Sequence, residues 1–451
     1  MRGYNHWNYH PYQPLDRLPE ELEKPYICRL EPGETSLTLE WFTPADREPL
    51  SCSCATLFYG LRDGGEWRSC PVSEPVCRLE GLEPGREYQL YLKDHRGISS
   101  NRRLVRTGKV PGKVIHYLHP EDHQYAFSGQ YLCSPSIVKL PDGTLLASMD
   151  YHRGARPQNL TSIFRSVDGG ESWRYLTDLF PCFWGTLFWH RGRLYMLGVS
   201  NEYGDLLIGC SQDGGESWST PTVILRGAAC SCEKGLHRAP MGILHSHGRL
   251  WTGVDYGAWQ CSSFASGVFS IPEEADLMTA ENWSCTGFLH HNPNWENALD
   301  ISGGIENNVL EGPDGSIVSM LRYGEGRALL LKNSPDRPEA LPEFYKIISF
   351  PMGHSKFEVK RRPDGLYLAV GNRLPLRNIL SVYASRDLEQ WDFVQDIVNC
   401  ETYPKETTAF QYPAFVFDKE DLLVVSRTAF NGASSFHDNN YQTFYRVKLK
   451  L

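Results

Sequence analysis

Short runs in which apolar and polar residues alternate, each closed by a turn sequence, fill most of this chain. Six units repeat the order turn then strand: Leu140-Pro-Asp-Gly-Thr-Leu-Leu-Ala, Trp189-His-Arg-Gly-Arg-Leu-Tyr-Met, His245-Ser-His-Gly-Arg-Leu-Trp-Thr, Gly312-Pro-Asp-Gly-Ser-Ile-Val-Ser, Arg362-Pro-Asp-Gly-Leu-Tyr-Leu-Ala and Asp418-Lys-Glu-Asp-Leu-Leu-Val-Val. With Gly143, Gly192, Gly248, Gly315, Gly365 and Glu420 as landmarks, the spacings are 49, 56, 67, 50 and 55 residues. Each interval is long enough for one four-stranded antiparallel sheet, and recurrence at this period is the mark of a repeat architecture. Six sheets are therefore predicted between about residue 113 and residue 451. The last unit supplies only about three strands, so Lys113-Val-Ile-His-Tyr-Leu118 is predicted to complete it and to remove an exposed sheet edge.

The segment 25–108 has a different rhythm. Leu37-Thr-Leu-Glu-Trp41, Ala55-Thr-Leu-Phe-Tyr59 and Leu82-Glu-Pro84-Gly85-Arg-Glu-Tyr88-Gln-Leu-Tyr-Leu92 read as short strands around a Leu-x-Pro-Gly-x-x-Tyr corner. This segment resembles a fibronectin type III sandwich, in which the tyrosine hydroxyl ties down the corner. Leu61-Arg-Asp63-Gly-Gly65-Glu-Trp67 reads as a hairpin turn. Residues 109–112 form a Pro/Gly linker, so the expected division is an extension over 1–24, a β-sandwich over 25–108 and the repeat region over 109–451.

A second repeat lies inside the first. Ser166-Val-Asp168-Gly-Gly170-Glu-Ser-Trp173 and Ser211-Gln-Asp213-Gly-Gly215-Glu-Ser-Trp218 share Ser-x-Asp-x-Gly-x-x-Trp, and Ser385-Arg-Asp387-Leu-Glu-Gln-Trp391 is a shortened copy. The phrase suits a tight turn: Asp accepts backbone N–H bonds, Gly takes the positive-φ position, Ser pins the turn and Trp packs between sheets. It resembles the Asp-box of sialidase-like β-propellers. The implied fold is all-β, a six-bladed propeller preceded by a small β-sandwich, with the Asp-boxes on outer hairpins away from the axial pocket.

Composition removes several function classes. A formal charge of −9 argues against a nucleic-acid partner. No apolar run approaches the roughly 18 residues of a membrane span, and Met1-Arg-Gly-Tyr-Asn-His-Trp7 has no hydrophobic stretch that could serve as a secretory signal, so a cytoplasmic location is expected. Thirteen cysteines, an odd number, suit reduced thiols in β cores. Cys52-Ser-Cys54 and Cys230-Ser-Cys232 lack the two-residue gap of a zinc knuckle, and neither a metal nor a cofactor is expected. Asn159-Leu-Thr161 is a glycosylation sequon. A homo-oligomer remains open.

In a propeller the innermost strands begin at the pocket mouth, which makes Cys133, Ser134, Trp184, His237, Arg238, Glu306, Asn308, Lys356 and Tyr412 the pocket candidates. Over residues 125–451 the chain resembles the sialidases. The family's glutamate matches Glu306 in Gly304-Ile-Glu306-Asn-Asn, an arginine one strand later matches Arg322, another matches Arg377, and the nucleophilic tyrosine matches Tyr412 in Phe410-Gln-Tyr412-Pro. The resemblance implies Tyr412 as nucleophile, Glu306 as its base and a set of arginines gripping a substrate carboxylate. Two positions depart from the family: Cys133 stands where the first clamp arginine is expected, and Tyr151-His-Arg153-Gly-Ala-Arg-Pro-Gln-Asn-Leu carries no acid/base aspartate after Asp150.

Other residues are candidates on their own chemistry. The Arg427…His437-Asp438-Asn-Asn-Tyr loop offers His437 as a general acid or base oriented by Asp438, or alternatively a solvated Asx-turn. His237 and Arg238 are candidate anchors for the carboxylate, Lys356 and Arg427 further cations, Trp184 a stacking platform or core residue, and Asp205 a candidate acid. The combined expectation is a sialidase-like glycoside hydrolase acting on a carboxylate-bearing sugar. The alternatives are a lyase acting on uronic-acid polysaccharides, with His437 or Tyr412 as base, and a non-catalytic glycan-binding propeller.

Overall fold

The computed structural model of the chain describes residues 24–43, 54–125, 128–153, 158–228, 233–261, 263–301, 303–373 and 375–450. The expected N-terminal extension, up to residue 23, and Cys52, Cys230 and Cys232 lie outside these residues. The described residues contain no α-helix, and none of their helical turns is long and apolar enough to cross a membrane.

Residues 26–106 form two antiparallel sheets. One orders Tyr26–Pro32, Ser36–Phe42 and Val76–Glu80; the other orders Arg68–Val72, Ala55–Leu61, Glu87–Asp94 and Arg103–Arg106. Period-two alternation turns Leu30, Leu37, Leu39, Leu57, Leu90, Leu92 and Val105 into a shared, fully buried core. The hydroxyl of Tyr88 accepts the Glu83 N–H at 2.9 Å, and Gly85 takes φ 70° between them. The turn over 61–67 joins Ala55–Leu61 to its neighbour Arg68–Val72.

Six more antiparallel sheets follow in chain order and build a β-propeller. In five of them the landmark turn joins the first strand to the second, and in the third it joins the short Leu244–Ser246 to Arg249–Ala258. Gly143, Gly192, Gly248, Gly315 and Gly365 take φ between 65° and 91° there, and Lys419 takes φ 58° in the sixth. The first strands, Tyr131–Lys139 and Phe183–His190 among them, pack side by side around the axis, and Tyr131–Lys139 also packs on Ala409–Asp418 of the last sheet. Lys113–Tyr117 pairs with Tyr441–Lys448, with Tyr117 opposite Tyr441, so the early strand closes the sheet built by the chain's end.

The Ser-x-Asp-x-Gly-x-x-Trp turns sit between the third and fourth strands of their sheets. Ser166 Oγ donates to Asp168 at 2.7 Å and accepts the Gly170 N–H at 2.9 Å, while Asp168 accepts the Ser172 N–H. The Trp173 indole donates to Gly170 O. Ser211, Asp213, Gly215 and Trp218 repeat the pattern. In the shortened copy Leu388, at φ 68°, stands in glycine's place and accepts the Trp391 indole N–H. Trp173 is buried and Trp218 half-buried.

Buried polar contacts hold the sandwich against the propeller. Arg103 pairs with Asp122 at 2.7 Å, Glu40 accepts the Tyr175 N–H at 2.9 Å, the Tyr26 hydroxyl donates to Asp178 at 3.2 Å, and Arg29 donates to Ile115 O at 2.7 Å. Each group has left water and needs its partner, so these contacts specify one docking geometry.

Candidate functional site

The site is made by one backbone device used three times. In the second, fourth and sixth propeller sheets the register of the first strand breaks near its start, between Phe183 and Thr186, Ile305 and Asn308, and Gln411 and Ala414. Inside each break one residue takes a left-handed conformation: Trp184 at φ 50°, Glu306 at 60° and Tyr412 at 51°. Such bulges re-aim a side chain, and backbone of this kind persists only where its surroundings hold it. A polar residue of the preceding sheet does the holding. Asp150 accepts the Trp184 N–H at 2.9 Å, Asp255 accepts the Glu306 N–H at 2.7 Å, and the Asn372 amide donates to Phe410 O at 2.8 Å. Burial pushes the Asp150 carboxyl up to about 8 and raises that of Asp255.

The three bulged side chains line one cavity of about 570 Å³ at the start of the first strands, together with Cys133, His237, Arg238, Arg322, Arg377, Arg427 and His437. Arg322 Nη1 lies 3.4 Å from both Glu306 carboxylate oxygens and 3.4 Å from the Tyr412 hydroxyl. The direct Glu306–Tyr412 hydrogen bond expected of a base and its nucleophile is not formed, because this guanidinium is bonded to both groups. Burial raises the Tyr412 phenol, Glu306 raises it further, and Arg322, Arg377 and Arg427 oppose the rise. The Arg427 guanidinium stands 4.9 Å from the Tyr412 ring centre, and Arg377 donates to Gln411 and faces the Phe436 ring.

Cys133 is approached by a cation from another strand. Arg427, on Asp421–Ala429, places Nη1 3.8 Å from Cys133 Sγ and donates through Nη2 to His437 O at 2.6 Å. The Nε atoms of Arg427 and Arg238 are buried without a hydrogen-bond partner among the described residues. Arg238 is otherwise held by Trp184 O and Leu197 O, and burial lowers it to about 10, as it does Arg377. Among the described residues Arg238, Arg377 and Arg427 thus stand on the wall without an ion-paired carboxylate, whereas Arg322 is paired with Glu306.

Nine of the twelve residues that the sequence offered for catalysis or substrate binding meet here: Tyr412, Glu306, His437, Arg238, His237, Arg322, Arg377, Arg427 and Trp184. Three do not. Lys356 is buried behind the bulge, its ammonium donating to Pro413 O, and burial lowers it to about 8, so it supports the Tyr412 backbone without facing the cavity. Asp205 pairs with Arg226 at 2.7 Å and accepts the Gly227 N–H, which ties it to the segment that follows Thr222–Leu225. Asp438 bonds Arg153 at 2.8 Å and lies 4.0 Å from His437 Nδ1, so the oriented His–Asp pair is absent. His437 itself is held neutral, its imidazole pushed down to about 2 by burial and then by Arg427 and other arginines.

The residue that sequence reasoning passed over is Glu202. It lines the cavity, receives a hydrogen bond from the Gln158 amide, and burial raises its carboxyl. Glu202-Tyr-Gly-Asp205 holds two acids, and periodicity does not say which one faces the axis. Tyr203, at φ 64°, marks the turn that parts them. Among the described residues no group of His, Cys, Asp and Glu is arranged to hold a metal.

The sequence profile of the BNR repeat-like domain family matches residues 186–425. No curated protein sequence matches the chain. Among solved structures, the chain is similar to an α-L-arabinanase of Penicillium chrysogenum in complex with arabinobiose, at 15% identity and a TM-score of 0.50, over 75% of this chain and 98% of that one. It is similar to a Hadza microbial sialidase at 13% identity and a TM-score of 0.50, over 95% of both chains. At these identities the likeness is one of fold.

Proposed function

The chain belongs to the BNR repeat-like domain family, and from that premise we propose that it is a glycoside hydrolase acting on a carboxylate-bearing sugar. The observation that carries the reading is Arg322 Nη1 at 3.4 Å from both Glu306 and Tyr412, inside a cavity also lined by Arg238, Arg377 and Arg427. The sialidase and arabinanase named for its structural neighbours support carbohydrate chemistry. In the proposed reaction Arg377 and Arg427 hold the substrate carboxylate, for which the planar guanidinium fork is suited. The ligand's charge competes for Arg322 and releases the Glu306 carboxylate to take the Tyr412 proton. Tyr412 then attacks the anomeric carbon, and a nucleophile that starts neutral avoids repulsion from the anionic sugar.

The six sheets are proposed as six blades. The two sheets of residues 26–106, with the Tyr88 corner, support a fibronectin type III-like sandwich that braces them. Screening chromogenic sialosides and uronides tests the function. Wild type is expected to release the chromophore, and Tyr412→Phe and Glu306→Gln to bind the sugar without turnover. An unsaturated product absorbing in the ultraviolet would replace hydrolysis with elimination, and sugar binding without turnover by wild type would leave a lectin.

A further inference from the structure

We infer that Glu202 is the group that protonates the leaving oxygen in this cavity. The inference rests on the hydrolase reading above and adds the one component that Tyr412, Glu306 and the arginines do not supply. An alcohol leaves an anomeric carbon readily only when its oxygen receives a proton as the bond breaks. Among the described residues the cavity is lined by two carboxyl groups, and they sit in opposite surroundings. Glu306 has the Arg322 guanidinium against both its oxygens. Glu202 has no ion-pair partner among the described residues. Its oxygen takes the Gln158 amide, which is in turn held by the Arg153 N–H at 3.1 Å. Burial raises the Glu202 carboxyl against the opposing pull of nearby His237 and of bonds from Tyr203 and Gln158, and the net rise favours the form that carries a proton. One carboxyl bonded to a guanidinium and one buried without an ion-pair partner among the described residues are surroundings that suit a division into base and acid.

The other titratable groups of the wall are less suited. Burial and neighbouring arginines hold His152 and His437 without a proton. His237 is turned by Nδ1 toward Asp255 at 3.4 Å. Glu202 also enters from the second sheet, on the loop between Arg193–Val199 and Leu206–Ser211, whereas Glu306 and Tyr412 enter from the fourth and sixth.

In the first step the Tyr412 oxygen bonds to the anomeric carbon while its proton passes to Glu306. The bond to the leaving oxygen breaks, its electron pair stays on that oxygen, and the Glu202 proton makes it an alcohol. In the second step water attacks the anomeric carbon and gives a proton to Glu202, and the Tyr412 oxygen departs and regains its proton from Glu306. Both carboxyls end as they began.

The test compares wild type, Glu202→Gln and His237→Asn on two glycosides of whichever sugar the screen identifies, one with a 4-nitrophenyl and one with a methyl leaving group. Loss of a general acid is expected to cut kcat/KM on the methyl glycoside by about 10²–10⁴-fold and to spare the nitrophenyl glycoside, whose leaving group needs little help. The basic limb of the kcat/KM profile should vanish in Glu202→Gln and persist in His237→Asn. Should Glu202→Gln fail to fold, Glu202→Ala is the second variant, with added azide expected to restore turnover and yield the glycosyl azide. Equal losses on both glycosides, an unchanged pH profile, or no azide product would overturn the assignment. Inactivity of wild type on both glycosides would instead overturn the hydrolase reading and this role with it.

Discussion

Asp150→Asn should remove a pH dependence that wild type carries. Asp150 is fully buried, and burial pushes its carboxyl from the ordinary 3.8 up to about 8, with bonds from Thr161 and the Trp184 N–H opposing the rise. The native state therefore keeps a proton that the unfolded chain gives up above about pH 4. Stability from this group is full below that pH and is lost as pH climbs toward 8, at about 1.4 kcal/mol per unit. Over the three units from pH 5 to pH 8 the loss is about 4 kcal/mol. Asparagine matches the protonated acid in shape, with one oxygen to accept the Trp184 N–H and an amide to donate to Thr161, whose hydroxyl can turn to Cys182 O at 3.0 Å. The variant should be near wild type in urea unfolding at pH 5 and more stable than wild type by a few kcal/mol at pH 8. Other buried carboxyls such as Asp178 titrate in both proteins and largely cancel in the difference. A stability difference that changes by less than about 1 kcal/mol between the two pH values would refute the reasoning.

Trp173→Ala should cost about 3–5 kcal/mol in chemical denaturation, and Trp218→Ala less, since Trp218 is only half-buried. Glu40→Ala leaves the buried Tyr175 N–H without its acceptor and should cost about 1–3 kcal/mol, with the exposed Arg174 adding little because water takes over its charge. Arg427→Met should weaken binding of a free carboxylated sugar by roughly 10- to 100-fold in calorimetry and leave a neutral sugar unaffected. His437→Gln should leave the acidic limb of the activity profile in place, because the imidazole is already neutral across the working range; disappearance of that limb would return His437 to the chemistry.

The repeat was legible in the sequence because its signals are local. A turn that needs Gly143 or Gly365 at positive φ, and a strand that alternates in two-residue steps, depend on neighbours a few positions away. The closing strand was legible for a related reason: a sheet short of one strand leaves an edge that Lys113–Tyr117 has the pattern to cover. The pocket was legible where a strand start places a residue beside the axis, and this accounts for Trp184, Glu306 and Tyr412.

Which carboxyl faces the cavity was decided by tertiary structure. Glu202 and Asp205 are three positions apart in one loop, and only the left-handed turn at Tyr203 and the capture of Asp205 by Arg226 separate them. The same holds for the cations. Lys356 and Arg427 carry equal charge in the sequence, yet a backbone carbonyl of the neighbouring strand takes Lys356 away from the cavity, while Arg427 crosses to Cys133, 294 positions earlier in the chain. Local propensity set the strands and turns of this protein, because a strand is specified by its own alternation. The charges of its cavity are contributed by separate sheets, and their pairing follows from distances that exist only once the ring has closed.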